Sequence, residues 1–170
     1  MFRGTYFSFH GTHLSSLMKA PAAVSPLEAH VGYWLRLVSN QVSQAFAREL
    51  EAREISVAEW VALRLAYQQD RIAPAQLSER AQLTRGAISK VIDKLESKGL
   101  LVRTADPDDG RAQQMSLTRR GRQLVPQLAA LADANDERFF GCLTARDRAT
   151  LMRLLRQLTD AHHLTGAPTD

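Results

Sequence analysis

The apolar positions of this chain fall into runs of helical period, broken by turn residues. Between Leu83 and Leu101 the stripe is Leu83, Ile88, Val91, Ile92 and Leu95, which predicts one amphipathic helix. Thr84 stands where its side chain can cap that helix by accepting a hydrogen bond from a free backbone N–H. Gly99 stands where a left-handed residue ends such a helix. Upstream, Val31, Leu35, Val38, Val42, Ala45 and Leu50 predict a long helix from about Pro26 to Ala52, with Trp34 and Phe46 beside the stripe. That stripe is too long for one small lobe to cover from a single side, so it calls for a partner helix. Ser39, Asn40 and Ser43 bring polar groups near it, facing either water or a ligand cavity. A further helix is predicted over Ser56 to Gln69, with Ser56 and Glu59 as a capping box and Trp60, Leu63, Leu65 and Tyr67 as core. The segment Asp70 to Ala81 holds a short helix, with Pro74 in its first turn and Leu77 and Ala81 facing inward.

Past Gly99 the period changes to two. Leu100 to Ala105 and Gln113 to Leu117 read as strands, joined by the turn Asp106-Pro107-Asp108-Asp109-Gly110. Thr118 then caps a helix to about Gly141, with Leu124, Val125, Leu128, Leu131 and Phe139 as apolar positions. Thr144 and Asp147 open a last helix striped by Leu151, Leu154, Leu155 and Leu158. The first and last long helices both carry more apolar surface than one lobe needs, and exchange between two chains would bury both. The implied fold class is mainly α with a small β-hairpin wing: a winged helix-turn-helix lobe plus a helical dimerisation region.

The expected organisation is a flexible extension over 1–26, a dimerisation helix over 27–55 and the winged lobe over 56–118. C-terminal helices over 119–163 complete the dimerisation region, and 164–170 is a tail. Met18-Lys19 reads as a second possible start, and the first 17 residues are expected to be either a dispensable extension or a mis-called start. Residues 1–17 lack the continuous apolar core of a signal peptide. No apolar run is long enough to span a membrane, so no membrane partner is expected. The 170 residues carry a net charge of +4, compatible with a nucleic-acid partner. A single cysteine, Cys142, excludes an intramolecular disulfide and fits a reducing, cytoplasmic setting.

Charge and chemistry give the helix over 83–101 its meaning. Away from the apolar stripe it carries Gly86, Ser89, Lys90, Asp93, Lys94 and Ser97, flanked by Arg85 and Lys98. A short helix with small, hydroxyl-bearing and cationic side chains suits a DNA major groove. An ordinary surface helix can look the same. The preceding short helix and tight turn Gln82-Leu83-Thr84 make a helix-turn-helix and decide for the recognition helix. Arg111, beside the hairpin turn, is placed to enter a minor groove, and Asp109 can pair with Arg111 or Arg103 to shape the tip. Lys94 and Lys98 are candidate phosphate contacts. Arg119, Arg120 and Arg122 crowd a helix N-terminus, where cations are unfavourable. Either a phosphate backbone or plain solvation accounts for them.

The stretches LTRGAISKVIDKLESKGLLVR and DPDDGRAQQMSLTRRG, in this order, resemble the MarR (multiple antibiotic resistance) family of transcriptional regulators. The resemblance covers roughly residues 27–163. It implies a homodimer with two winged lobes that binds double-stranded DNA at a pseudo-palindromic operator, usually as a repressor. It implies that Thr84, Arg85, Gly86, Ser89 and Lys90 meet bases and phosphates, that Arg111 enters the minor groove and that Asp109 positions it. It further implies a small aromatic or phenolic effector between the dimer helices and the lobe, which points at Trp34, Ser39, Phe46 and Trp60. The effector's effect is to change the separation of the two lobes.

Other readings are weaker. A redox-responsive regulator would need a reactive cysteine, and Cys142 lies between the last two helices, where a structural role is expected. The histidines His10, His13, His30, His162 and His163 are too scattered for a metal site, and no cofactor is expected. No nucleophile with base and orienter, glycine-rich phosphate loop or catalytic carboxylate pair is present, so an enzyme is not expected. A winged-helix module that binds only protein would favour a neutral or acidic helix face, against Lys90, Lys94 and Arg111.

Overall fold

A computed structural model describes residues 24–105 and 113–167. A short 3-10 turn, Leu27–Ala29, precedes α1 (Val31–Glu51). There follow α2 (Val57–Tyr67), α3 (Pro74–Ala81), α4 (Arg85–Ser97), β1 (Leu101–Ala105), β2 (Gln113–Leu117), α5 (Arg119–Phe140) and α6 (Ala145–Ala161). The predicted long helix therefore starts later than Pro26. His30 is extended, with φ −101° and ψ 126°, and breaks the backbone ladder there.

The caps explain the other boundaries. The Ser56 side chain accepts from Glu59 N–H while the Glu59 carboxylate accepts from Ser56 N–H, a complete capping box. Thr84, Thr118 and Thr144 each cap by accepting from the backbone N–H three residues on. α4 ends at Gly99, whose φ of +66° only glycine adopts without cost. There Leu100 N–H donates to Leu95 O and Gly99 N–H to Glu96 O, which satisfies the last carbonyls.

β1 and β2 pair antiparallel, with Leu101 opposite Leu117 and Ala105 opposite Gln113. Ile72 adds a bridge to Met115, with both backbone bonds formed, at 3.0 and 2.8 Å. The core is built from Leu50, Leu63, Ile72, Leu77, Leu95, Met115 and Leu128, all fully buried. It joins the C-terminal end of α1 to α2, α3, α4, the hairpin and α5. Tyr67, expected in this core, is 39% exposed at the end of α2. The N-terminal half of α1 leaves Val31, Trp34, Leu35 and Val38 exposed, and α6 buries none of its residues.

Candidate nucleic-acid interface and effector cavity

The junction between α3 and α4 is fixed by backbone geometry. Gln82 takes the left-handed conformation, φ 53°. Leu83 N–H donates to Ser78 O at 3.1 Å, and the Ser78 hydroxyl donates to Leu83 O at 2.6 Å. α4 then buries Ile88, Ile92 and Leu95 and turns its opposite face to solvent. Thr84, Arg85, Gly86, Ser89, Lys90 and Lys94 are all exposed. Arg85, Lys90 and Lys94 have no side-chain hydrogen bond or ion pair among the described residues. Their charges stay available to a polyanion.

Lys98 and Arg103 are committed elsewhere. Lys98 Nζ lies 2.7 Å from Glu59 Oε1 and donates to Glu54 O at 2.5 Å. It therefore braces α4 against the start of α2, where phosphate contact was expected. Glu59 is 2% exposed. Burial pushes its pKa up, but the Lys98 hydrogen bond, the Ser56 N–H and the Lys98 charge together outweigh burial and hold the carboxyl below its ordinary value. Arg103 pairs with Asp93 and, at 3.5 Å, with Glu96, both on α4. The hairpin and the recognition helix are thus linked through charge, and the one acidic side chain on the outer face is neutralised.

The arginines in the first turns of α5 divide. Arg120 donates to Lys98 O at 3.1 Å, at the C-terminal end of α4, and Arg122 pairs with Asp70 at 3.0 Å. Arg119 has no partner among the described residues. The hairpin tip, with Asp109 and Arg111, lies outside the described residues.

The predicted effector residues divide. A cavity of about 430 Å³ lies between α1 and α2 and is lined by Ser43, Phe46, Val57, Trp60, Arg64 and Ala167 among others. Phe46 and Trp60 meet there edge to face, with centroids 6.1 Å apart. Trp34 and Ser39 do not line it. Trp34 stacks edge-on with Tyr33 and donates to Glu28 O at 2.9 Å, on the exposed half of α1. Of the three polar residues noted beside the α1 stripe, Ser43 lines the cavity and Ser39 and Asn40 do not. The sequence reading missed Arg64. It stands one helical turn beyond Trp60, a spacing that puts both on one face of α2. Cys142 is exposed and its thiol lies 3.6 Å from Phe139 O.

The sequence profile of the MarR family matches residues 55–112. The HTH-type transcriptional repressor Rv2887 of Mycobacterium tuberculosis is 31% identical over 131 residues, which cover 77% of this chain and 94% of that protein. Among solved structures, CouR from Rhodococcus jostii RHA1 bound to p-coumaroyl-CoA matches with a TM-score of 0.71 and 25% identity, covering 85% of this chain and 100% of that one. BpsR from Bordetella bronchiseptica, whose DNA binding is regulated by 6-hydroxynicotinic acid, matches with a TM-score of 0.70 and 24% identity, covering 81% and 99%.

Proposed function

The chain belongs to the MarR family of transcriptional regulators, and from that premise we propose that it is a ligand-responsive repressor that binds a pseudo-palindromic operator as a homodimer. The observation that carries the reading is the outer face of α4. Ser89, Lys90, Arg85 and Lys94 stand exposed there on a helix held rigidly by core, cap and turn. In the proposed mode α4 enters the major groove, with Ser89 and Lys90 toward bases and Thr84, Arg85, Gly86 and Lys94 toward phosphates. Arg111 enters the neighbouring minor groove, with Asp109 as its positioning partner.

The division of labour follows. Residues 56–118 form the DNA-binding lobe, and 27–55 with 119–163 form the dimerisation region, with 1–26 and 164–170 as terminal extensions. Support for the dimer comes from the exposed apolar positions of α1 and α6, which solvent disfavours and a second copy would cover. Two-fold symmetry then sets the recognition helices about 34 Å apart, one turn of DNA.

The effector site proposed is the α1/α2 cavity. Its apolar walls, Phe46 and Trp60, suit an aromatic ring, and Arg64 suits a carboxylate. Support comes also from relatives: one is bound to p-coumaroyl-CoA and another responds to 6-hydroxynicotinic acid. Trp34 and Ser39, away from the cavity, belong to the proposed dimer face.

The deciding experiment is fluorescence anisotropy with a labelled duplex from upstream of the gene, at several salt concentrations, against random competitor DNA. Binding that survives competitor and weakens with salt supports the reading. Binding no tighter than to random DNA counts against it, and a genome-wide binding selection then tests whether an operator lies elsewhere.

A further inference from the structure

Beyond α6 the chain folds back onto the helix-turn-helix. Leu164 N–H donates to Thr159 O at 3.0 Å and turns the backbone off the helix. Gln82 Nε2 donates to Thr165 Oγ1 at 3.4 Å, and Ala167 N–H donates to Arg80 O at 3.1 Å. Between these bonds Gly166 has φ +88° and lies so close to Gln82 that a Cβ would run into its side chain. The backbone angle and the close approach both require glycine. One residue further, Ala167 lines the α1/α2 cavity together with Phe46 and Trp60.

The segment therefore touches two functional parts at once. Thr165 and Gly166 rest on Gln82, the left-handed residue that turns the chain toward the recognition helix. Ala167 forms part of a cavity wall. We propose that the segment 164–167 is a strap that closes the outer side of the α1/α2 cavity and ties that wall to the helix-turn-helix turn. It limits what enters the cavity, and a ligand that needs the space of Ala167 draws the strap away from Arg80 and Gln82. The strap's place on the cavity is a matter of geometry. Its action on ligand entry rests on the effector reading above.

The test first reads the strap without any ligand. The chain has two tryptophans, so a Trp34→Phe background leaves Trp60 as the sole reporter inside the cavity. Acrylamide quenching is compared in that chain, in the same chain ended after His163, and in the same chain carrying Gly166→Val. The two variants act differently, by deletion and by a clash with Gln82, and both spare the core, as circular dichroism and thermal melting check. Quenching is expected to rise about twofold in both variants, because local opening exposes the indole. Equal quenching in all three chains overturns the strap.

A second arm adds 4-hydroxybenzoate to the protein–DNA complex. Strap removal is expected to lower the concentration that releases half of the DNA, by about fivefold. An unchanged release midpoint overturns the strap's role in ligand entry. If 4-hydroxybenzoate releases no DNA from any chain while quenching still differs, the strap stands as a cavity wall and its role with this class of ligand falls.

Discussion

Glu59 and Lys98 hold the end of α4 against the start of α2. Glu59 is buried, its two oxygens are divided between Lys98 Nζ and Ser56 N–H, and Lys98 also reaches Glu54 O. Glu59→Gln keeps the shape but loses the charge-assisted bond, and unfolding in urea at neutral pH should register a loss of about 1–3 kcal/mol. The sign of the pH dependence follows from the depressed pKa. The folded carboxyl is more acidic than the unfolded one, so its contribution is complete above the ordinary value of 4.5 and drains away as pH falls below it through the folded value. The gap between wild type and Glu59→Gln should therefore narrow on acidification in that window. A constant gap would mean that the carboxylate charge is not what stabilises the pair. Glu54 offers the opposite change. It holds φ 58° just past α1, where Glu54 N–H donates to Glu51 O and Ile55 N–H to Leu50 O. A side chain is strained in that conformation, so Glu54→Gly should raise stability by about 0.5–1 kcal/mol, read as a higher melting temperature.

At the scale of elements, α4 separates into contacts that position and contacts that specify. Lys94, free among the described residues and further along the helix, is proposed to meet phosphate. Lys94→Ala should weaken operator and random DNA about equally and lower the dimer's salt slope by about 2, about 1 for each lobe. Lys90→Ala and Ser89→Ala, closer to the helix N-terminus, should cost about 1–3 kcal/mol on the operator and less on random DNA. Competition anisotropy with both duplexes separates the two classes, and equal losses throughout would place Ser89 and Lys90 on the backbone too. The helix itself was legible because its signals are local: period, Thr84 cap and Gly99 stop lie within one stretch of chain. What was not legible depends on contacts between distant stretches. Ile72 joins the hairpin through a single bridged pair, which no alternation marks. Arg103 pairs across to α4 because the hairpin packs on that helix, a contact with Asp93 and Glu96 that no spacing along the hairpin marks. Lys98 looks like a phosphate contact on a helical wheel, until α2 brings Glu59 against it. The cavity kept Phe46 and Trp60 and excluded Trp34 and Ser39, since only the C-terminal half of α1 packs on the lobe.

The whole molecule poses its problem at the two helices that one chain cannot bury. α6 has no buried residue, and Leu154, Leu155 and Leu158 are each at least 36% exposed along it. A charge placed there disturbs no core, so its effect isolates assembly from folding. Leu158→Glu combined with Leu155→Glu should leave the melting of the winged lobe nearly unchanged and convert the proposed dimer to a monomer in analytical ultracentrifugation. Dimerisation makes the second half-site contact intramolecular, so the monomer should lose operator affinity by about 10²–10⁴-fold. Its salt slope should fall to about half, because only one lobe now displaces counterions. The two readouts have to move together. A variant that turns monomeric yet keeps its affinity and slope would mean that one lobe binds alone and that symmetry plays no part in recognition. A variant that stays dimeric would move the interface off α6, leaving its leucines for a different partner.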